Sequence, residues 1–178
     1  MKLASCAAMA GILLCAQAAA GETEFQLCQG DAENPIIRAA NCDIAIRLGG
    51  LSTDQMVVAL YNRGQAYLTS QKPAPALDDF DAVLKLNPDD LMALFTRGIA
   101  RRQLKQYDGA IADFDRLLAL NYQPAAKIFL NRSMVYHLKG DKEKTLADLH
   151  KARELDPQDP VIKDRLWKTE RLYKQQGR

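Results

Sequence analysis

The chain repeats itself with a period of about 34 residues. Leu60-Tyr61-Asn62-Arg63-Gly64-Gln65-Ala66-Tyr67 is answered by Leu94-Phe95-Thr96-Arg97-Gly98-Ile99-Ala100-Arg101, and again by Phe129-Leu130-Asn131-Arg132-Ser133-Met134-Val135-Tyr136. A second echo follows each stretch: Ala76 and Phe80, then Ala110 and Phe114, then Thr145 and Leu149. The small residue advances by 34 from Gly64 to Gly98 and by 35 from Gly98 to Ser133, which places one inserted residue near Pro124-Ala125. A period of this length marks an array of supersecondary units. No single unit of that size buries its apolar faces, so stability has to come from stacking neighbours.

The punctuation between echoes is that of paired helices. Ser52 and Gln55 have capping-box spacing and predict a helix start. Pro73 and Pro75 fall in the first turn of the next helix, where a missing N–H is tolerated. Asn87-Pro88 and Asp156-Pro157 predict helix ends, because proline disfavours helical geometry in the residue before it. Gly64 is expected to face Ala76, and Gly98 to face Ala110, where two helices approach. Phe80 and Phe114 are expected to fill the seam between neighbouring repeats.

These residues resemble the tetratricopeptide repeat. Gly64, Tyr67, Ala76, Phe80 and Pro88 fit its pattern in the first copy; Gly98, Tyr107, Ala110 and Phe114 in the second; Ser133, Tyr136, Gly140, Ala152 and Pro157 in the third. Arg101, Tyr122, Thr145 and Leu149 depart from it. The resemblance covers residues 57–159 and implies an all-α, right-handed solenoid of three helix hairpins, at about 57–90, 91–124 and 126–159. It further implies that first helices line a concave groove. The positions expected to face solvent there are Tyr61, Asn62 and Gln65, then Phe95, Thr96, Ile99 and Arg102, then Lys127, Leu130, Asn131, Met134 and His137. The family's best-known binding mode clamps the terminal carboxylate of cytosolic chaperone tails with lysine, asparagine and arginine on the first helices. Only Lys127 fits that requirement, so no clamp of that type is expected.

Stacked arrays need capped ends. Residues 160–175 predict an amphipathic capping helix within the segment 160–178, with Ile162, Leu166, Trp167 and Leu172 covering the last repeat. Residues 21–50 read as a degenerate leading unit. Within it a helix over 35–48 is expected, with Ile36, Ile37, Ala40, Ile44 and Ala45 as its apolar positions.

Residues 1–20 have the layout of a secretory signal peptide: Lys2 near the start, an apolar run from Leu3 to Cys15, then small residues suited to cleavage. Cleavage after Ala20 is favoured, with Ala18 as the alternative, and the run is too short to span a bilayer. The lipoprotein-like Leu3-Ala4-Ser5-Cys6 precedes the apolar run instead of following it, and Leu14 is too large to precede a lipidated Cys15. Removing residues 1–20 leaves Cys28 and Cys42, and an even pair in an exported chain predicts a disulfide. The expected location is periplasmic or secreted, with no stable membrane insertion. Small exported bacterial repeat proteins with an early cysteine pair look similar.

Lysine and arginine number 24 against 22 acidic residues, a net charge of +2, too little to attract nucleic acid. The charge is uneven, however: residues 127–178 hold 13 basic and 8 acidic side chains. That third reads as a solvated face. Asp79-Phe80-Asp81 recurs as Asp113-Phe114-Asp115, which points to scaffold, with the aspartates expected in solvent. No nucleophile, phosphate-loop or metal-ligand pattern accompanies His137 and His150. No enzyme, cofactor or metal is expected. The expected function is to bind a peptide or helix of a cell-envelope partner in the groove. The alternative is an accessory or assembly subunit using Trp167 and the basic end; an enzyme dependent on His137 is a distant third.

Overall fold

Ser52 donates its backbone N–H to Gln55 Oε1 at 2.8 Å and accepts the Gln55 N–H at its own hydroxyl at 3.2 Å, so the reciprocal cap read from the sequence is formed. The structure is a computed structural model that describes residues 22–30 and 34–176. The signal reading for residues 1–20 lies outside the described residues. The described chain is all-α. Helix α1 covers 22–29, followed by α2 (Pro35–Leu48), α3 (Thr53–Thr69), α4 (Pro73–Leu86), α5 (Leu91–Gln103), α6 (Tyr107–Ala119), α7 (Ala125–Lys139), α8 (Lys142–Leu155) and α9 (Pro160–Gln176). No described helix is long and apolar enough to cross a membrane. The chain divides into two compact units, one ending at Asp90 and the other starting at Leu91.

In the first unit α2 packs on α3 and α3 on α4. Phe25, Cys28, Cys42, Ala45 and Ala59 form a buried cluster that ties α1 to α2 and α3. The Sγ atoms of Cys28 and Cys42 stand 2.07 Å apart, at bonding distance. Of the expected apolar positions of α2 only Ala45 is buried. Ala39, Cys42 and Ala45 are inside, whereas Ile36 and Ile37 are 66% and 53% exposed and Ile44 also faces solvent. The cysteine fixes the rotation of the helix, and the isoleucines lie on the side it turns outward.

In the second unit α5–α6 and α7–α8 form consecutive hairpins, α5 also touches α7, and α9 closes against α8. Ile162 and Leu166 of α9 are buried as expected. Trp167 is 57% exposed and is not a covering residue, whereas Leu172, 39% exposed, borders a cleft between α9 and the last hairpin. Trp167 instead carries the Arg171 guanidinium over its ring at 5.3 Å.

Inside each hairpin the close contact is glycine against phenylalanine, not glycine against alanine. A β-carbon on Gly64 would stand 2.8 Å from Phe80 Cε1, and one on Gly98 2.9 Å from Phe114 Cε1. Both rings are fully buried. In the third hairpin Ser133 and Leu149 occupy the equivalent positions, and both are buried.

The aspartates beside those rings correct a second expectation. Asp79, Asp113 and Asp148 are buried, not solvated. Each takes two hydrogen bonds from the arginine 16 residues earlier: Arg63 to Asp79 at 3.0 and 2.7 Å, Arg97 to Asp113 at 3.1 and 2.6 Å, and Arg132 to Asp148 at 2.8 and 2.7 Å. A carboxylate gives up its water only when a fork of this kind replaces it. The Asp79 and Asp148 bonds hold the Arg63 and Arg132 guanidinium groups above their ordinary proton affinity. Each pair locks a first helix to its second.

Candidate functional site

The first helices carry the expected groove residues, and the structure distributes them over both units. On α3, Tyr61, Asn62 and Gln65 are all half-buried. The Tyr61 ring leans on Phe80 with centroids 5.9 Å apart, and Gln65 Nε2 donates to the Tyr61 hydroxyl at 2.9 Å. Asn62 Nδ2 donates to the Cys28 carbonyl at 3.4 Å, so its amide is engaged with α1.

On α5, Phe95 and Ile99 are half-buried, and Phe95 meets Phe114 edge-on at 6.1 Å. Thr96 departs from the expectation. It is buried, and its hydroxyl donates to the Met92 carbonyl at 2.7 Å, because a short side chain one position from Phe95 turns into the hairpin. Arg102 reaches across to α7, where its Nη1 lies 3.0 Å from Met134 Sδ.

On α7, Lys127 and His137 are exposed, and Leu130, Asn131 and Met134 are half-buried. Leu130 packs on the Ala126, Ala152 and Ile162 cluster, so part of its surface serves the core. Asn131 Nδ2 bonds back to the Lys127 carbonyl at 2.9 Å. His137 Nδ1 is 2.6 Å from the Tyr173 hydroxyl of α9, and the two rings stack at 27°. In the second unit the structure therefore brings α5, α7 and α9 to one face. Phe95, Ile99 and Met134 supply its apolar surface, and Arg102, Lys127 and His137 its polar groups.

Sequence reasoning missed a cleft of about 350 Å³ between the α7–α8 hairpin and α9. Met134, Leu149 and Leu172 form its apolar wall, and Asp164, Arg165, Lys168 and Thr169 its polar edge, with Asp164 paired to Lys168. The signal was available in the third copy, where serine and leucine stand in place of glycine and phenylalanine.

Among the described residues no three of His, Cys, Asp and Glu converge on a metal position. The recurring aspartates Asp79 and Asp113 are committed to arginines.

A family model described as tetratricopeptide repeat matches residues 61–123 and 95–160. Among solved structures, MamA 41-end from Desulfovibrio magneticus RS-1 superposes with a TM-score of 0.73 at 23% identity, covering 89% of this chain and 86% of that one. YrrB, a repeat protein described as having an unusual peptide-binding site, gives 0.64 at 25% identity, covering 73% of this chain and 64% of that one. The first repeat domain of Spaghetti (RPAP3), bound to an HSP90 peptide, gives 0.61 at 22% identity, covering 67% of this chain and 94% of that one. At these identities the MamA and Spaghetti likenesses are likenesses of fold. No curated protein sequence gave a significant match.

Proposed function

The chain belongs to the tetratricopeptide repeat family, and on that premise we propose that it is an exported, non-catalytic module that holds a peptide or helix of a cell-envelope partner. The observation that carries the binding role is the α5–α7 face, where Phe95, Ile99 and Met134 stay half-exposed beside side-chain donors. Solenoid faces of this kind bind extended segments by combining apolar anchors with hydrogen bonds to the peptide backbone. The YrrB likeness supports a peptide as the class of partner. Export is supported by the signal layout of residues 1–20 and by the Cys28–Cys42 pair.

Recovery of partners from envelope extract tests the binding face. Wild-type protein should retain at least one envelope protein that Phe95→Ala/Ile99→Ala loses while keeping its helical signal; equal recovery by both sinks the groove. Mass spectrometry of exported protein tests the rest. The expected chain starts at Gly21 and lacks two hydrogens at Cys28 and Cys42, whereas an intact start and free thiols would remove export.

A second reading is favoured by one observation: Trp167 is 57% exposed on the terminal helix. An assembly subunit would dock through that residue, and crosslinks confined to α9 would select it over the groove.

A further inference from the structure

The cleft between the α7–α8 hairpin and α9 has a volume of about 350 Å³, and small-molecule sites occupy roughly 300–1,000 Å³. Three hydroxyls line it, those of Ser133, Thr145 and Thr169. Two are spent: Ser133 Oγ donates to the Leu130 carbonyl at 2.7 Å and Thr145 Oγ1 to the Asp141 carbonyl at 2.6 Å. Thr169 is only 7% exposed, and its hydroxyl makes no hydrogen bond among the described residues. Thr69, Thr96 and Thr145, also within helices, each donate to the carbonyl four residues earlier. Thr169 does not, and its oxygen is left open to the cleft. A hydroxyl this deeply buried is costly until something bonds to it.

The surroundings define what that is. Met134, Leu149, Val161 and Leu172 give the cleft an apolar wall. Its charged side chains, Asp164, Arg165 and Lys168, are all exposed, and Lys168 Nζ is neutralised by Asp164 Oδ2 at 2.8 Å. An ion carried to the depth of Thr169 would lose its water for one neutral hydroxyl, so the matching group is uncharged. The shape follows from the third copy. Ser133 and Leu149 line the cleft at the positions where Gly98 and the Phe114 ring meet in the second copy. The space is that of a missing ring, beside a methionine sulfur that suits an aromatic edge.

We propose that this cleft binds a small, uncharged aromatic alcohol, with its ring against Met134, Leu149 and Leu172 and its hydroxyl bonded to Thr169. Phe95 and Ile99 do not line the cleft, so the site goes beyond the peptide reading and stands or falls apart from it.

The probe is para-propylphenol, titrated into the full chain by isothermal calorimetry. Para-propylanisole, which lacks the donor, para-propylbenzoate, which is charged, and an end-blocked Gly-Tyr-Gly peptide are the comparison arms. The phenol should bind about tenfold more tightly than the anisole or the benzoate, as one buried hydrogen bond requires. Thr169→Val keeps the branched shape, and it should abolish the preference of phenol over anisole. Ser133→Gly/Leu149→Phe rebuilds the contact of the earlier copies inside the cleft and should lose all binding while keeping its helical signal. Should that double variant fail to fold, Thr169→Val decides. No binding of the phenol, equal affinity for phenol and anisole, a preference for the benzoate, or a preference untouched by Thr169→Val overturns the proposal. Tighter binding of the tyrosine peptide than of the phenol overturns it as well, since the occupant would then be a protein side chain. Loss of the envelope partner in Phe95→Ala/Ile99→Ala is read separately and survives any of these results.

Discussion

The edge of the Phe114 ring lies 2.9 Å from the place a β-carbon on Gly98 would occupy, and the ring is fully buried. Glycine is used there for lack of volume, since helix geometry itself disfavours it. In the third hairpin the same contact is solved by a smaller partner, Leu149, which admits Ser133.

That exchange predicts coupling. Gly98→Ser should destabilise by about 1–3 kcal/mol, as overpacking of a closed core does. Adding Phe114→Leu should recover part of the loss, giving a coupling energy of at least about 0.5 kcal/mol. Urea denaturation of the two single variants and the double variant measures it, and strict additivity would refute the steric account.

Loss of a first-helix arginine should not cost the same in every repeat. Arg63→Ala leaves buried Asp79 with no cation among the described residues, and a loss of about 3–5 kcal/mol is expected. Arg97→Ala leaves Asp113 with Arg101 Nη1 at 2.9 Å, so its loss should be smaller by at least about 1 kcal/mol. Replacing the first pair together, Arg63→Met with Asp79→Leu, should cost less than Arg63→Ala alone, because no charge is then stranded. Denaturation midpoints decide the order.

Gln71, Lys105 and Gly140 end the first helix of successive hairpins at the same repeat position, with φ of 58°, 60° and 82°. Only the third is glycine. The left-handed conformation is strained for an ordinary side chain. Lys105→Gly should therefore stabilise by up to about 1 kcal/mol, while Gly140→Ala should destabilise by about 1 kcal/mol. Thermal denaturation of the two variants should move in opposite directions.

Asp141 caps α8 by accepting the Lys144 N–H at 3.0 Å, and that bond holds its carboxyl below the ordinary value of 3.8. The folded state binds this proton less readily than the unfolded one. The contribution is therefore complete above pH 3.8 and disappears as the pH falls through the lowered folded value. Asp141→Asn keeps an acceptor at the cap but removes the titration. Its stability relative to wild type should rise as the pH is taken from neutral to below 3.8, and a constant difference would show that the charge is not felt.

The repeat, the helix ends at Asn87 and Asp156, the Ser52–Gln55 cap and the family were all written in the linear order of residues. Each depends on neighbours a few positions away, or on a contact that recurs in every copy and so shows as a period. Which side of a helix meets another was not written there. Ile36, Ile37 and Trp167 look like core residues and face solvent, while Asp79 and Asp113 look like surface residues and are buried. Burial depends on what stands opposite, and an aspartate becomes an interior residue only where a distant arginine arrives to replace its water. The cleft at Arg165 has the same origin. It exists because α9 closes over a hairpin that lacks a phenyl ring, a space that no single segment encodes.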